Sequence, residues 1–446
     1  MAVTTLAERG ELSRAARSFL RTESGSAVLL LTAAVLALAW ANLGEGYEDF
    51  WHTELSLRLG GLELSEDLRH WVNDGLMVLF FFSVGLEISR EAVLGELRGV
   101  RAIAAPAIAA IGGLTVPAGL FLLFNAGGPA AGAWGIAIST DTALVIGVLA
   151  LVGPRCPDQL RVFLLALSIV DDIGAITAIA LFYTHQVDLV ALGVAGALFL
   201  GLLALRYVHF WRTPIYAAIG ILMWLAVLRS GVHPSVVGVA LGLLVNAYAP
   251  KPRDIARAGV LGRSLIVDPS PARALAAQNA AAEAVSPNER LQLRIQPWSS
   301  YVIVPVFVLA NAGVALSGET LAAAVGSPLT WGIVVGLTVG KLIGVTAGTW
   351  LALRTGLGIV PDTLHWGQLI GGAGLSGIGF TVALFVTELA LDDEALVNDA
   401  KIGILTGSIL AGVVGWLIFR LAGERGGQCA PSGLPTLPPR PWRPPD

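Results

Sequence analysis

The stretch "ALSIVDDIGAITAIALF" (166–182) is apolar enough to lie inside a membrane, yet it holds two adjacent carboxylates, Asp171 and Asp172, near its middle. An aspartate at the centre of a spanning helix costs about 2.5–3.5 kcal/mol on insertion scales, and two neighbours repel if both ionise. Ionisable groups at that depth are kept where a function uses them. Each carboxylate can be neutralised by a proton or by a small cation, and the two titrate as a coupled unit. A site that a proton and a cation cannot occupy together becomes an exchanger once it opens to one side of the membrane at a time.

The rest of the chain supports a membrane setting. It is 55% hydrophobic and 13% charged, against about 25% charged in a soluble domain. Mean hydropathy is +0.74. The alternation of an outer-membrane barrel is missing from its apolar stretches. A net charge of −4 points away from nucleic acid. Cys156 and Cys429 are far apart and read as free thiols. The polar, basic first residues lack the apolar core and cleavage site of a removable signal, so the first span is expected to act as the targeting signal.

A bilayer core of about 30 Å needs about 20 apolar residues per helix. That ruler marks twelve spans, near 26–43, 72–89, 102–124, 133–152, 161–183, 189–207, 214–229, 233–248, 299–317, 330–353, 366–389 and 400–421. The fold class is therefore an all-α polytopic membrane protein. Lys and Arg concentrate on one side of this arrangement, including seven in the long 249–298 segment, while the acidic joints fall on the other. The bias places both termini in the cytoplasm. The expected domains are a cytoplasmic segment over 1–24, a transporter domain over 25–421 and a disordered Pro-rich cytoplasmic tail over 422–446. Within the transporter, the 249–298 loop is expected to be mobile apart from a short helix at 272–285.

The central ionisable residues are Asp141, Asp171, Asp172 and Lys341, with Asp74, Glu87 and Glu388 nearer span ends. One lysine cannot neutralise three aspartates. Two spans are also interrupted. "GIAISTDTALVIG" (135–147) sets Thr140 and Asp141 mid-span, and "GGAGLSGIGFTVALF" (371–385) is glycine-rich. Transporters use such discontinuous helices to line an ion site. Asp141 is expected to offset the positive helix ends there, and Lys341 the negative ones. The interrupted spans are the fourth and the eleventh. Each is the middle of a triplet, spans three to five and ten to twelve, and the triplets start on opposite sides. That is the arrangement of inverted repeats with crossing helices.

"VGLEISRE" (84–91), "STDTA" (139–143), "SIVDDIGAI" (168–176), "SGVH" (230–233), "ANAGV" (310–314), "GKLIG" (340–344) and "GIGFT" (377–381) together resemble the NhaA family of bacterial Na⁺/H⁺ antiporters. The resemblance runs in order from about residue 25 to 421. It implies electrogenic exchange of cytoplasmic Na⁺, and Li⁺, for inward H⁺, serving Na⁺ tolerance and pH homeostasis. Asp172 would be the principal Na⁺ ligand and proton carrier. Asp171 would share the ion and pair with Lys341 when Na⁺ is absent. Lys341 would compensate charge or couple a proton, and Thr140 and Asp141 would sit at the helix crossing. Glu87, Arg90 and Glu91 would serve the pH response and the cytoplasmic approach. The implied setting is the inner membrane, with the bilayer as partner, a homodimer as assembly and no cofactor or enzymatic activity.

One departure stands out. Gln292, Leu293 and Gln296 fall where steeply pH-activated relatives carry ionisable Glu and His, so an altered, shallower pH activation is expected. A structural polar role is expected for His233. The rival readings fit less well. An intramembrane aspartyl protease needs its aspartates on facing helices, and a prenyltransferase needs spaced Asp-x-x-x-Asp motifs that the spans lack. A proton-coupled transporter of another small solute remains the alternative.

Overall fold

The computed structural model describes residues 23–44, 46–59, 62–94, 100–153, 158–184, 187–207, 213–361 and 364–421. Cys156, Cys429, nearly all of the N-terminal segment and the Pro-rich tail lie outside them. In chain order the main helices are α1 (Glu23–Leu43), α2 (Met77–Leu94), α3 (Val100–Asn125), α4 (Thr142–Val152), α5 (Asp158–Phe182) and α6 (Leu189–Tyr207). Then come α7 (Thr213–Leu228), α8 (Ser235–Leu244), α9 (Pro252–Val267), α10 (Pro271–Ala284), α11 (Pro287–Trp298) and α12 (Val304–Asn311). The chain ends with α13 (Pro328–Val335), α14 (Lys341–Arg354), α15 (Trp366–Leu375), α16 (Phe380–Ala390) and α17 (Glu394–Leu421).

Among the described residues, seven helical stretches are long and apolar enough to cross a bilayer, two of them running through a π-turn. A further pair, α15 and α16, meets the test together and is bent by 41° at its break. The other expected spans also hold helix, but α4, α7 and α8 are short, and α2 follows a π-turn (Trp71–Leu76) that includes Asp74. The distribution of side chains is that of a protein in lipid. Leu123, Leu181 and Leu200 are 79%, 70% and 63% exposed, while Asp141, Asp171 and Lys341 are 4%, 1% and 0% exposed. In water this arrangement would strand apolar surface outside and charge inside.

Glycines set how closely the helices approach. A Cβ on Gly112 of α3 would overlap the Gly344 carbonyl of α14, and one on Gly344 would overlap the Gly112 carbonyl. Small residues permit this backbone contact where lipid supplies no hydrophobic drive between helices. On the opposite flank, a Cβ on Gly85 of α2 would come within 2.6 Å of the Val239 carbonyl of α8.

Two features depart from the sequence reading. The first acidic joint is not irregular. "ELSLRL" and "LELSED" alternate apolar and polar residues, and they pair as an antiparallel hairpin, β1 (Glu54–Leu59) with β2 (Leu62–Asp67), Leu59 facing Leu62. Apart from this hairpin the regular structure of the described residues is helical. The 249–298 segment is also more ordered than expected, since it forms α9, α10 and α11 rather than one short helix. The reason is local. Ser270-Pro271 and Ser286-Pro287 each place a serine at N-cap and a proline at the first helical position, with Ser270 Oγ accepting from Arg273 N–H and Ser286 Oγ from Glu289 N–H.

The end of the hairpin carries a titratable clamp. Asp67 Oδ1 accepts from the His70 amide at 2.7 Å and meets His70 Nδ1 at 2.8 Å, while Oδ2 meets His52 Nδ1 at 2.9 Å. Partial burial pushes the Asp67 carboxyl up, but the hydrogen bonds from His70 and His52 outweigh it and hold it below its ordinary value. Burial pulls His70 down, and the Asp67 carboxylate outweighs that and raises it. The Asp67 contribution is therefore present above the ordinary Asp value of about 3.9 and is lost as pH falls through the lowered one. The His70 contribution is complete below the ordinary His value of about 6.5 and is lost as pH rises through the raised one. Asp67→Asn should therefore lower the melting temperature more at about pH 5.5 than at about pH 9. Equal losses at both pH values would mean that the clamp is not ionic.

Candidate functional site

The site forms where the two interrupted stretches meet. A 3₁₀ segment (Ala131–Ile136) leads to an extended break at Ser139–Asp141 before α4 begins. The other break, Ser376–Gly379, separates α15 from α16. A broken helix leaves backbone donors and acceptors unpaired, which is costly away from water. Here each break supplies the other. Asp141 N–H donates to the Ile378 carbonyl at 2.6 Å, and Ser139 Oγ donates to the Gly379 carbonyl at 3.0 Å. A Cβ on Gly379 would lie 2.6 Å from Ser139 Oγ, so this glycine allows the breaks to approach, while one on Gly377 would overlap the Leu337 carbonyl on the neighbouring π-turn.

Asp141 sits between two helix starts. Its Oδ1 accepts from Leu144 N–H at 3.1 Å, capping α4. Its Oδ2 accepts from Thr381 N–H at 3.2 Å and Thr381 Oγ1 at 2.6 Å, at the first turn of α16. One carboxylate thus meets the positive ends of both helices, as expected. Thr381 was not singled out in the sequence. The available signal was its place one residue into the helix that follows the "GIG" interruption.

Asp171 lies on α5 and is joined to Lys341 and Thr140. Its Oδ2 receives Lys341 Nζ at 2.6 Å and lies 2.7 Å from Thr140 Oγ1. Thr140 Oγ1 is also 2.9 Å from the Ser376 carbonyl, the C-cap of α15. The one Thr140 hydroxyl proton is divided between these two acceptors, and Lys341, expected at the negative helix end, is instead on Asp171. Lys341 follows directly on a π-turn, Gly336–Gly340. Asp171 Oδ1 is buried and, among the described residues, has no hydrogen-bond partner.

Asp172, next along α5, is half-buried. Among the described residues it has no hydrogen bond or ion pair, and the charges within its reach are Glu87, Asp171, Asp141 and Lys341. Glu87 therefore belongs to the same electrostatic neighbourhood. Arg90 and Glu91, one turn further along α2, pair with each other at 3.1 Å. Gln292 is half-buried and Leu293 and Gln296 are exposed on α11, which puts no ionisable group at those positions. His233 is tied down locally, with Nδ1 2.8 Å from Ser235 Oγ and Nε2 3.2 Å from Asp74 Oδ1. Lys401 is buried inside α17 and pairs with Glu388 at 3.3 Å. No group of three or more metal-ligating side chains occurs among the described residues.

Comparison with known proteins follows this geometry. The profile of the Na⁺/H⁺ antiporter 1 family matches residues 17–419. The chain is 50% identical over 440 residues to a protein named Na⁺/H⁺ antiporter NhaA 3 from Frankia alni, covering 98% of this chain and 95% of the relative. It is 43% identical over 412 residues to NhaA 1 of Mycolicibacterium vanbaalenii and 46% identical over 420 residues to NhaA 1 of Salinispora arenicola. These two are longer, and the chain spans 67% and 64% of them.

The Thr381 hydroxyl supplies the shorter of the two contacts on Asp141 Oδ2. Thr381→Val should destabilise the fold by about 1.5–3 kcal/mol, the range for a hydrogen bond to a charged group, while Thr381→Ser retains most of it. Melting temperature in detergent checks both. A valine variant as stable as wild type would remove Thr381 from the site.

Proposed function

Because the chain belongs to the NhaA family of Na⁺/H⁺ antiporters, we propose that it extrudes Na⁺ and Li⁺ in exchange for protons bound alternately at Asp171 and Asp172. It is a transporter and not an enzyme, and its family works without a cofactor. The observation that carries the reading is the unequal treatment of the two carboxylates. Asp171 Oδ2 is shared by Lys341 and Thr140, whereas Asp172 lacks a fixed partner among the described residues. A carboxylate at that depth must be neutralised by something that comes and goes. A proton and a hard monovalent cation both suit oxygen ligands, and they exclude one another at one site.

In this reading Asp172 is the principal ligand and proton carrier. Asp171 completes the site once Lys341 leaves it, and Thr140 adds a hydroxyl. Asp141 holds the crossing together and Glu87 biases the field. Arg90 and Glu91 line the cytoplasmic approach. The transporter spans the bilayer twelve times with both termini in the cytoplasm, the two broken helices being the centres of inverted repeats. A dimer is the assembly the family implies. More than one proton enters per Na⁺, so the inside-negative potential drives extrusion and supports Na⁺ tolerance and pH homeostasis. Neutral side chains on α11 make activation by alkaline pH shallow.

Na⁺-induced collapse of a pH gradient in everted vesicles tests this. Wild type should respond to Na⁺ and Li⁺. Asp172→Asn should not respond at all, since an amide neither carries the proton nor neutralises the cation. Asp171→Asn should keep weak, less electrogenic exchange. A wild type that ignores both cations across pH would shift the assignment to another proton-coupled solute.

A further inference from the structure

The outer face of α14 forms a groove with the start of α15. Leu342, Ile343, Ala347 and Trp350 line it from α14, and Trp366 and Ile370 from α15. It encloses about 510 Å³ and presents only apolar atoms. Ile343, Trp350 and Trp366 are exposed there and not packed into the core. In a bilayer, lipid tails cover such a surface. A groove that only meets bulk lipid has no use for polar groups at one end, and this groove has them.

Trp350 and Trp366 stand at the end where α14 finishes and α15 begins. Two other tryptophans spend their indole N–H on the protein, Trp331 on the Val325 carbonyl at 2.9 Å and Trp224 on the Asp74 carbonyl at 2.7 Å. Among the described residues, the indoles of Trp350 and Trp366 have no acceptor. Arg354 follows Trp350 by four residues, so it lies on the same face of α14, one turn beyond the groove. It is exposed, and among the described residues its side chain has no hydrogen bond or ion pair. From Arg354 back to Leu342 the helix rises about 18 Å, one leaflet of a hydrocarbon core about 30 Å thick plus the start of the headgroup layer.

We propose that the groove between α14 and α15 binds an anionic phospholipid, with one acyl chain along Ile343, Ala347 and Ile370 and the phosphate on Arg354 and the two indoles. A guanidinium pairs with phosphate through two parallel hydrogen bonds, and indole N–H groups donate at headgroup level. A zwitterionic lipid offers the same tail, but its own cation opposes Arg354. The site does not depend on where the transported ion binds. It touches the same helices, however. Leu342 and Ile343 directly follow Lys341, and α15 is the first half of an interrupted span. A lipid lying across both holds the Lys341 helix against that span.

Purified protein in detergent is titrated with phosphatidylglycerol, phosphatidylcholine or glycerol 3-phosphate, and the melting temperature is read, since it rises with binding to the folded state. Phosphatidylglycerol should act at a midpoint about tenfold below that of phosphatidylcholine, and glycerol 3-phosphate should do nothing. Arg354→Gln should raise the phosphatidylglycerol midpoint about tenfold, the loss of one charge-assisted contact, and leave that of phosphatidylcholine in place. Ala347→Phe puts a ring into the groove from an exposed position. It should abolish the phosphatidylglycerol shift without lowering the melting temperature in lipid-free detergent. Equal midpoints for the two lipids would overturn the proposal, as would an Arg354→Gln protein that responds like wild type. A shift with glycerol 3-phosphate would make this a phosphate site without a tail, and an Ala347→Phe protein that keeps the lipid shift would place the lipid elsewhere. Either result overturns the groove as the site.

Discussion

Three aspartates and one lysine share the middle of this protein, and that arithmetic governs the site. Each carboxylate is handled differently. Asp171 takes the Lys341 ammonium, at 2.6 Å. Asp141 takes no cation, but it accepts three hydrogen bonds from the starts of two helices, where partial positive charge is fixed in place. For Asp172, no such provision is present among the described residues. Fixed groups stabilise fixed charges. A charge without one must be met by something mobile, and for a membrane carboxylate the candidates are a proton or a metal cation.

The crossing explains why the interruptions occur as a pair. Either break alone would expose amides and carbonyls at a depth where each unsatisfied group costs several kcal/mol. Together they form one hydrogen-bonded network. Lys341 Nζ donates to Asp171 Oδ2, and the single Thr140 hydroxyl proton is shared between that oxygen and the Ser376 carbonyl. Parallel links join Asp141 to Ile378 and Thr381, and Ser139 to Gly379. The ion pair is therefore part of the scaffold as well as part of the chemistry. Disturbing Asp171 alters the groups that hold both broken helices.

Much of the site was legible in the sequence because charge is conspicuous in an apolar chain. Asp141, Asp171, Asp172 and Lys341 stand out without any structure, and their co-location follows from the cost of leaving them apart. Thr381 did not stand out, since a threonine in an apolar span usually bonds its own helix, as Thr338 does to the Val334 carbonyl at 2.6 Å. The hairpin was legible but overlooked. Its period-2 alternation over 54–65 lies within a run dense in Glu and Asp, so charge masks the strand signal there. The Ser-Pro pairs at 270–271 and 286–287 signal the starts of α10 and α11, which are too polar to register as apolar spans. The 41° bend between α15 and α16 could be placed at its glycines but not given an angle, because glycine sets where a helix can break and tertiary contact sets how far it turns.

The packing also constrains how the site can change its access. α3 and α14 touch backbone to backbone through Gly112, Gly344 and Gly348, so they shift as one body or not at all. The break before α4 donates to carbonyls of the break between α15 and α16, and Thr381 of α16 donates back to Asp141, so a movement of one carries the other. Two rigid units then meet at Asp171, whose Oδ2 touches Lys341 of the first and Thr140 of the second. Whatever loosens that oxygen loosens the joint between them. In the exchange proposed above, the arriving cation takes that oxygen from the ammonium. Ion binding and the freedom to move are on this view one event at one atom.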